Sequence, residues 1–188
     1  NRALLAAVAA ALLSACTAHA PVPAERPASE ASVAGVQSEA QRLDALVEAY
    51  FEDQLKLRPL LATSIGDKRY NDQYPVSIAP EFRARAEQME RDYLARVQQI
   101  DPAQLSGQDL LSYQVFKSAR EREIEGFRFP DYLIPLNQFY SAPNGFAQLG
   151  SGNGMQPFET VQDYENFLKR VDGFVAWTDQ AIANMREG

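Results

Sequence analysis

Few residue types in this chain can do chemistry, and they are placed unevenly. Cys16 is the only cysteine and His19 the only histidine among 188 residues. A thiolate metal cage, an intrachain disulfide and a Ser-His-Asp arrangement are therefore all out of reach. No HExxH pair exists, and no serine starts an S-x-x-K motif that would supply a lysine base. His19 lies three residues from Cys16, in a polar stretch where a solvated position is the expectation. Two acids acting as a glycosidase pair stay open, because spacing along a chain does not reveal their separation in space. Glu121, Glu123 and Glu125, interleaved with Arg120 and Arg122, read as a solvated helix face. The run Gly150, Ser151, Gly152, Asn153, Gly154 follows no strand and precedes no Lys-Ser/Thr pair, so a flexible hairpin is expected there, not a phosphate loop.

Cys16 does have a chemical context. Arg2 precedes an apolar run from Ala3 to Leu13, which fits the charged and hydrophobic regions of a secretory signal and is too short to span a bilayer. Leu13, Ser14, Ala15 and Cys16 then resemble the lipobox of bacterial lipoproteins. Small side chains at 14 and 15 admit a peptidase, and the thiol at 16 carries the lipid. Two or more acyl chains, at about 0.8 kcal/mol per buried CH₂, hold a protein to a bilayer without a transmembrane helix. The expectation is lipid attachment at Cys16, with the remainder in the bacterial cell envelope outside the cytoplasm, on the periplasmic side in a Gram-negative cell. The membrane, through that lipid, is the first expected partner.

Residues 1–16 are thus read as signal peptide and residues 17–36 as tether. The tether holds three prolines, six alanines and no aromatic residue, a composition that cannot bury enough surface to order itself. Residues 37–188 carry the fold. With 46% apolar residues overall, one modest core is affordable. The net charge of −7, or −8 once Arg2 leaves with the signal, argues against nucleic acid as a partner.

The positioning elements read as helices. Ser38 and Gln41 form a capping-box pattern, and Leu43, Leu46, Val47, Tyr50 and Phe51 recur at helical spacing until Pro59, predicting a helix over 39–57. Residues 63–76 are rich in turn formers. Pro80 opens a second helix whose Phe82, Ala86, Met89, Tyr93, Val97 and Ile100 make one stripe, ended by Asp101 and Pro102. Ser106 with Asp109, stapled by Leu105 and Leu110, starts a third that runs to about Glu125. Thr160 with Asp163 starts a fourth, whose Tyr164, Phe167, Leu168, Val171, Phe174, Val175, Ile182 and Met185 form a broad apolar face. No strand pattern of useful length occurs. The fold class is mainly α, a bundle of about four major helices with one long irregular loop.

That loop, residues 126–158, holds seven aromatics, four prolines and five glycines, and long loops of this kind are usually functional. Within it Asn137, Gln138 and Tyr140 set amide and phenol groups among apolar neighbours, a combination able to grip a peptide backbone, so they are the candidate substrate-cleft residues. That Asn137 and Gln138 instead satisfy buried backbone groups stays open. No catalytic residue, metal ligand or cofactor is assigned within the chain.

Several stretches in order resemble the N-terminal part of a bacterial family known as domain of unknown function 885. They are Arg58-Pro59-Leu60-Leu61-Ala62-Thr63 leading to Gly66-Asp67, then Leu111-Ser112-Tyr113, Phe127-Arg128-Phe129-Pro130, and Pro135-Leu136-Asn137-Gln138. The last is Pro157-Phe158 through Asp163-Tyr164-Glu165-Asn166-Phe167-Leu168 to Ile182-Ala183-Asn184-Met185-Arg186-Glu187-Gly188. The resemblance implies a longer, largely helical protein related to the zinc peptidases, with zinc held by an HExxxGH-type motif in its later part. No position here matches that motif. Asn1 is not an initiator methionine, and the fourth helix has little chain left to cover its apolar face. The expectation is therefore the N-terminal helical part of a metallopeptidase-like envelope lipoprotein. The alternative is a complete, non-catalytic helical lipoprotein that binds a peptide or an envelope partner.

Overall fold

The computed structural model describes residues 37–139 and 141–188. The expectations for residues 1–36, the signal, the tether, His19 and lipid attachment at Cys16, lie outside the described residues, as does Tyr140. Among those described, six α-helices and three short 3-10 turns occur and no strand. The helices are α1 (Glu39–Leu57), α2 (Pro59–Ser64), α3 (Pro80–Val97), α4 (Gly107–Gly126), α5 (Ala142–Leu149) and α6 (Val161–Glu187). No helix among them is long and apolar enough to cross a membrane.

The start of α1 follows its sequence signal. Ser38 Oγ accepts from the Gln41 backbone N–H at 3.2 Å, and Gln41 Oε1 accepts from the Ser38 N–H at 3.0 Å. Pro59 ends α1 but does not end helical structure. Without an N–H to leave unsatisfied, it takes the first position of α2, a short helix not foreseen from the sequence. Gly66, at φ +84°, closes α2: its N–H reaches Thr63 O at 3.0 Å and the Asp67 N–H reaches Ala62 O at 2.9 Å, the paired bonds of a Schellman motif.

Helices α1, α3 and α4 enclose the main core. Leu43 and Leu46 of α1, Tyr93 and Val97 of α3, and Tyr113 and Phe116 of α4 are buried together with Ile100 and Leu105 from the α3–α4 connection. Tyr50 fixes the crossing, edge-on to Tyr93 at 5.0 Å and to Phe116 at 5.1 Å. Val47 and Phe51, expected on the apolar face of α1, are exposed. Leu105 and Leu110 both pack in this core as the staple requires, yet Ser106 makes no side-chain cap. Gly107 enters α4 at φ +53°, and the Asp109 N–H bonds Ser106 O at 3.1 Å instead.

The segment 126–158 is not wholly irregular. It contains a 3-10 turn, Asp131–Leu133, and α5, which Ser141 caps and Pro143 helps to start. Phe146 of α5 stacks on Phe174 of α6, with ring centres 4.2 Å apart, and on Phe167 at 5.4 Å. The Gly150 to Gly154 run is a compact turn leaving α5, in which Gln148 O accepts from both the N–H and the hydroxyl of Ser151. Both flanks of a hairpin are missing, since a helix precedes it.

Helix α6 starts as expected, with Thr160 and Asp163 in a reciprocal capping box. Its contacts are mostly with connecting segments, and their anchor is Arg170. This fully buried guanidinium donates to Gln73 O (3.1 Å), Tyr70 O (3.1 Å), Thr63 Oγ1 (2.6 Å) and Gln156 Oε1. One turn before the C-terminus, Asn184 Nδ2 donates to Ile78 O and Tyr132 O, each at 3.1 Å. Gly173 lies against Tyr74 so closely that a Cβ would sit 2.4 Å from Tyr74 O.

Candidate functional site

A cleft of about 420 Å³ opens where four separate segments meet. Leu57, Arg58, Pro59 and Leu60 come from the α1–α2 junction, Tyr74, Pro75 and Ser77 from the following connection, Phe82, Arg83 and Ala86 from the first turns of α3, and Glu123, Gly126, Phe127 and Asp131 from the end of α4 and beyond. Arg58, at φ −120° and ψ 72°, breaks the helical path between α1 and α2 where they border this space. Its volume falls within the range of small-ligand sites, and its floor is apolar.

Charges occupy the rim as two opposed pairs. Arg83 Nη1 lies 2.9 Å from Asp131 Oδ1, its guanidinium stacks 4.5 Å from the Tyr132 ring centre, and Nη2 reaches Phe127 O and Phe129 O at 3.5 and 3.4 Å. That arginine is fully engaged. Arg58 and Glu123 are 4.0 Å apart and both about half exposed, a loose pair that an incoming ligand can split. An apolar floor with a separable cation and anion at its edge suits a zwitterionic or amide-bearing chain. Ser77 and Tyr74 are the hydroxyl groups at the lining; burial pushes the Tyr74 phenol above its ordinary range, so that phenol is not primed as a nucleophile.

Behind the cleft, one turn along α3 from Ala86, Glu90 is almost completely buried. Its Oε1 accepts from Tyr50 Oη at 3.0 Å and from Gln54 Nε2 at 3.1 Å. Arg120 Nε lies 2.5 Å from Oε2, an ion pair whose alignment leaves both atoms without a proper hydrogen bond. The same guanidinium sits 3.8 Å over the Tyr50 ring. Burial raises the Glu90 carboxyl above its usual range, opposed chiefly by Arg120. Arg120 is therefore not part of the solvated face expected for residues 120–125, although Glu121, Arg122, Glu123 and Glu125 are exposed. Glu90 does not line the cleft, and its hydrogen bonds and ion pair tie α1, α3 and α4 together.

Asn137 and Gln138 are exposed, and neither lines the cleft. Asn137 Oδ1 accepts from the Phe139 N–H at 2.8 Å, an Asx turn that shapes its own loop. Phe139 beside them is 81% exposed. Among the described residues no group of three or more His, Cys, Asp or Glu is arranged to hold a metal ion.

The cleft and its walls lie largely within residues 59–188, which match the family described as Bacterial protein of unknown function (DUF885). The chain belongs to that family. No curated protein and no solved structure matches it. Arg58, on the cleft rim, falls just outside the matched region, whereas Arg83, Glu123 and Asp131 fall within it. No signal in the sequence could have singled out this cleft, because its four contributing segments are separated by helices and none carries a motif of its own.

Proposed function

We propose that this chain is the N-terminal helical part of a bacterial envelope lipoprotein resembling the zinc metallopeptidases, in which the α1–α4 cleft holds substrate and the hydrolytic groups come from elsewhere in the protein. The observation that carries the reading is the cleft itself: an apolar floor under the separable Arg58–Glu123 pair is shaped for a peptide segment, with the floor taking a side chain and the pair taking its backbone ends or amides. The lipobox-like Leu13-Ser14-Ala15-Cys16 supports attachment to the envelope through a lipid on Cys16. Zinc is implied by the resemblance, but among the described residues no group of three or more His, Cys, Asp or Glu is arranged to hold it.

Three measurements test the parts separately. Mass spectrometry of the membrane-extracted protein should find a diacylglyceryl mass on Cys16 that Cys16→Ser abolishes; an unmodified cysteine removes the lipoprotein assignment. Zinc analysis with peptide hydrolysis on the full-length protein should find metal and activity together. Within that protein, Arg58→Glu should raise KM for peptides by roughly tenfold, the worth of one lost charge-assisted contact of about 1.4 kcal/mol, and leave kcat nearly unchanged. A loss confined to kcat would remove the cleft from substrate binding.

A further inference from the structure

The chain holds two Asn-Gly pairs, Asn144-Gly145 and Asn153-Gly154. This dipeptide carries a reaction of its own, because a glycine nitrogen with no Cβ beside it can attack the preceding asparagine's side-chain carbon. The fold treats the two pairs oppositely. Asn144 and Gly145 lie inside α5, where the Gly145 N–H donates to Ser141 O at 3.0 Å. Helical backbone aims that N–H back along the axis, away from the Asn144 side chain. Asn153 and Gly154 lie in the turn that leaves α5, and both are exposed. Gly152 precedes them at φ +77°. Among the described residues nothing bonds the Gly154 N–H or the Asn153 side-chain amide; the Asn153 N–H is the group engaged, by Ser151 Oγ at 3.2 Å.

The turn is short and held at both ends. Leu149 before it and Gln156 after it are buried, and Gln156 Oε1 accepts from the buried Arg170 guanidinium. Gly154 packs so closely on the end of α5 that a Cβ would lie 2.7 Å from Gln148 O. A main chain lengthened between these anchors has no slack to absorb the change, so one anchor has to shift. Leu149 is fixed within α5. Gln156 belongs to no helix, and its Nε2 has no hydrogen-bond partner among the described residues, so it is the weaker of the two.

We propose that Asn153 is a site of spontaneous covalent modification, converting through a cyclic imide to isoaspartate, and that the longer main chain of the product loosens Gln156 from Arg170 and with it the anchor of α6. Hydroxide removes the Gly154 amide proton, and the nitrogen forms a bond to Asn153 Cγ. The Cγ–Nδ2 bond breaks, and that nitrogen leaves as ammonia with a proton from water. Water then opens the imide. Breaking the new N–Cγ bond gives aspartate, whereas breaking the bond from that nitrogen to the main-chain carbonyl carbon of residue 153 gives isoaspartate. The isoaspartate chain runs through Cβ and Cγ and is longer by one methylene. Nothing is oxidised or reduced, and either product adds one negative charge. This inference stands apart from the peptidase reading, since it uses no residue of the cleft.

The test ages the full chain at mildly alkaline pH and follows both pairs by peptide mapping and mass spectrometry. The Asn153 amide should be lost at least about tenfold faster than the Asn144 amide, because the Gly145 bond must open first and an opening of ~1.4 kcal/mol already gives that factor. In concentrated urea the two should react at similar rates. Asn153→Gln, whose attack would have to close a six-membered ring, should suppress the fast conversion. The isoaspartate form, separated by chromatography, should exchange its α6 amides faster than Asn153→Asp, which carries the same charge on an unlengthened chain. Equal loss of the two amides in the folded chain, or an Asn153 amide that outlasts the Asn144 amide, overturns the site. Identical α6 exchange in the isoaspartate form and in Asn153→Asp overturns the loosening.

Discussion

At the scale of single residues, Glu90 and Arg120 show how a buried ion pair can be strongly destabilising to break while adding little by its presence. Removing both charges from water is expensive, and their attraction offsets that cost only while both remain. Arg120→Met should therefore cost about 3–5 kcal/mol in denaturant unfolding, because Glu90 is left buried without its counter-ion. The double variant Glu90→Leu/Arg120→Met should recover most or all of that loss, since apolar side chains of similar volume leave no charge unpaired. If the double variant is as unstable as the single one, the pair is a net stabiliser and the assignment of its cost to desolvation is wrong. The sign with pH is set by burial, which raises the carboxyl: Glu90 contributes most on the acid side and less as pH rises through its folded value. The sequence hid this pair because Arg120 sits among four charged neighbours that are exposed, and only the rotation of α4 against α1 and α3 separates it from them.

At the scale of elements, the helices that announce their ends in sequence were legible, and those made by the absence of a signal were not. Helix α1 occupies the predicted 39–57, and the Thr160–Asp163 pattern opens α6. Pro59 both stops α1 and starts α2, and α5, at eight residues, is too short to show a period. The expected apolar face of α6 contained both of its faces at once, because Phe167 and Phe174 pack inward while Leu168 and Val175 point to solvent. The cleft was invisible for a related reason, as it exists only where the α1–α2 kink meets the ends of α3 and α4. Gly173→Ala gains about 1 kcal/mol of helix propensity in isolation, yet it should destabilise the protein by roughly 1–3 kcal/mol, because the methyl group would meet the Tyr74 backbone. A thermal melt that rises on this substitution would show that α6 does not lie against that segment. Asp163 behaves oppositely to Glu90: hydrogen bonds from Thr160, then from the Thr160 and Glu159 amides, lower its pKa. Its contribution is present above the ordinary carboxylate range and is lost as pH falls through the lowered value. Amide protection at Glu159 and Thr160 should therefore decay on the acid side of pH 4, and in Asp163→Ala it should be absent at every pH.

At the scale of the whole molecule, the two ways in which helices are held predict an order of opening. Helices α1, α3 and α4 bury a shared core of leucines and aromatics against one another, so none can detach without exposing the others. Helix α6 touches that group mainly through connecting segments: Arg170 to the 63–73 region, Gly173 to Tyr74, Asn184 to Ile78 and Tyr132. It also stacks on α5 and on Phe158, and much of its outer face is open to water. Such an element opens below the global free energy, as a cooperative unit of its own. Native-state hydrogen exchange should find α6 and α5 exchanging together, earlier than α1, α3 and α4. Arg170→Met should widen the gap, because it strips a donor from Thr63, Tyr70, Gln73 and Gln156 at once, and Arg170→Lys should not rescue it, since an ammonium cannot span that fork of acceptors. Uniform protection across all six helices, unchanged by either variant, would mean that α6 is held by the core itself.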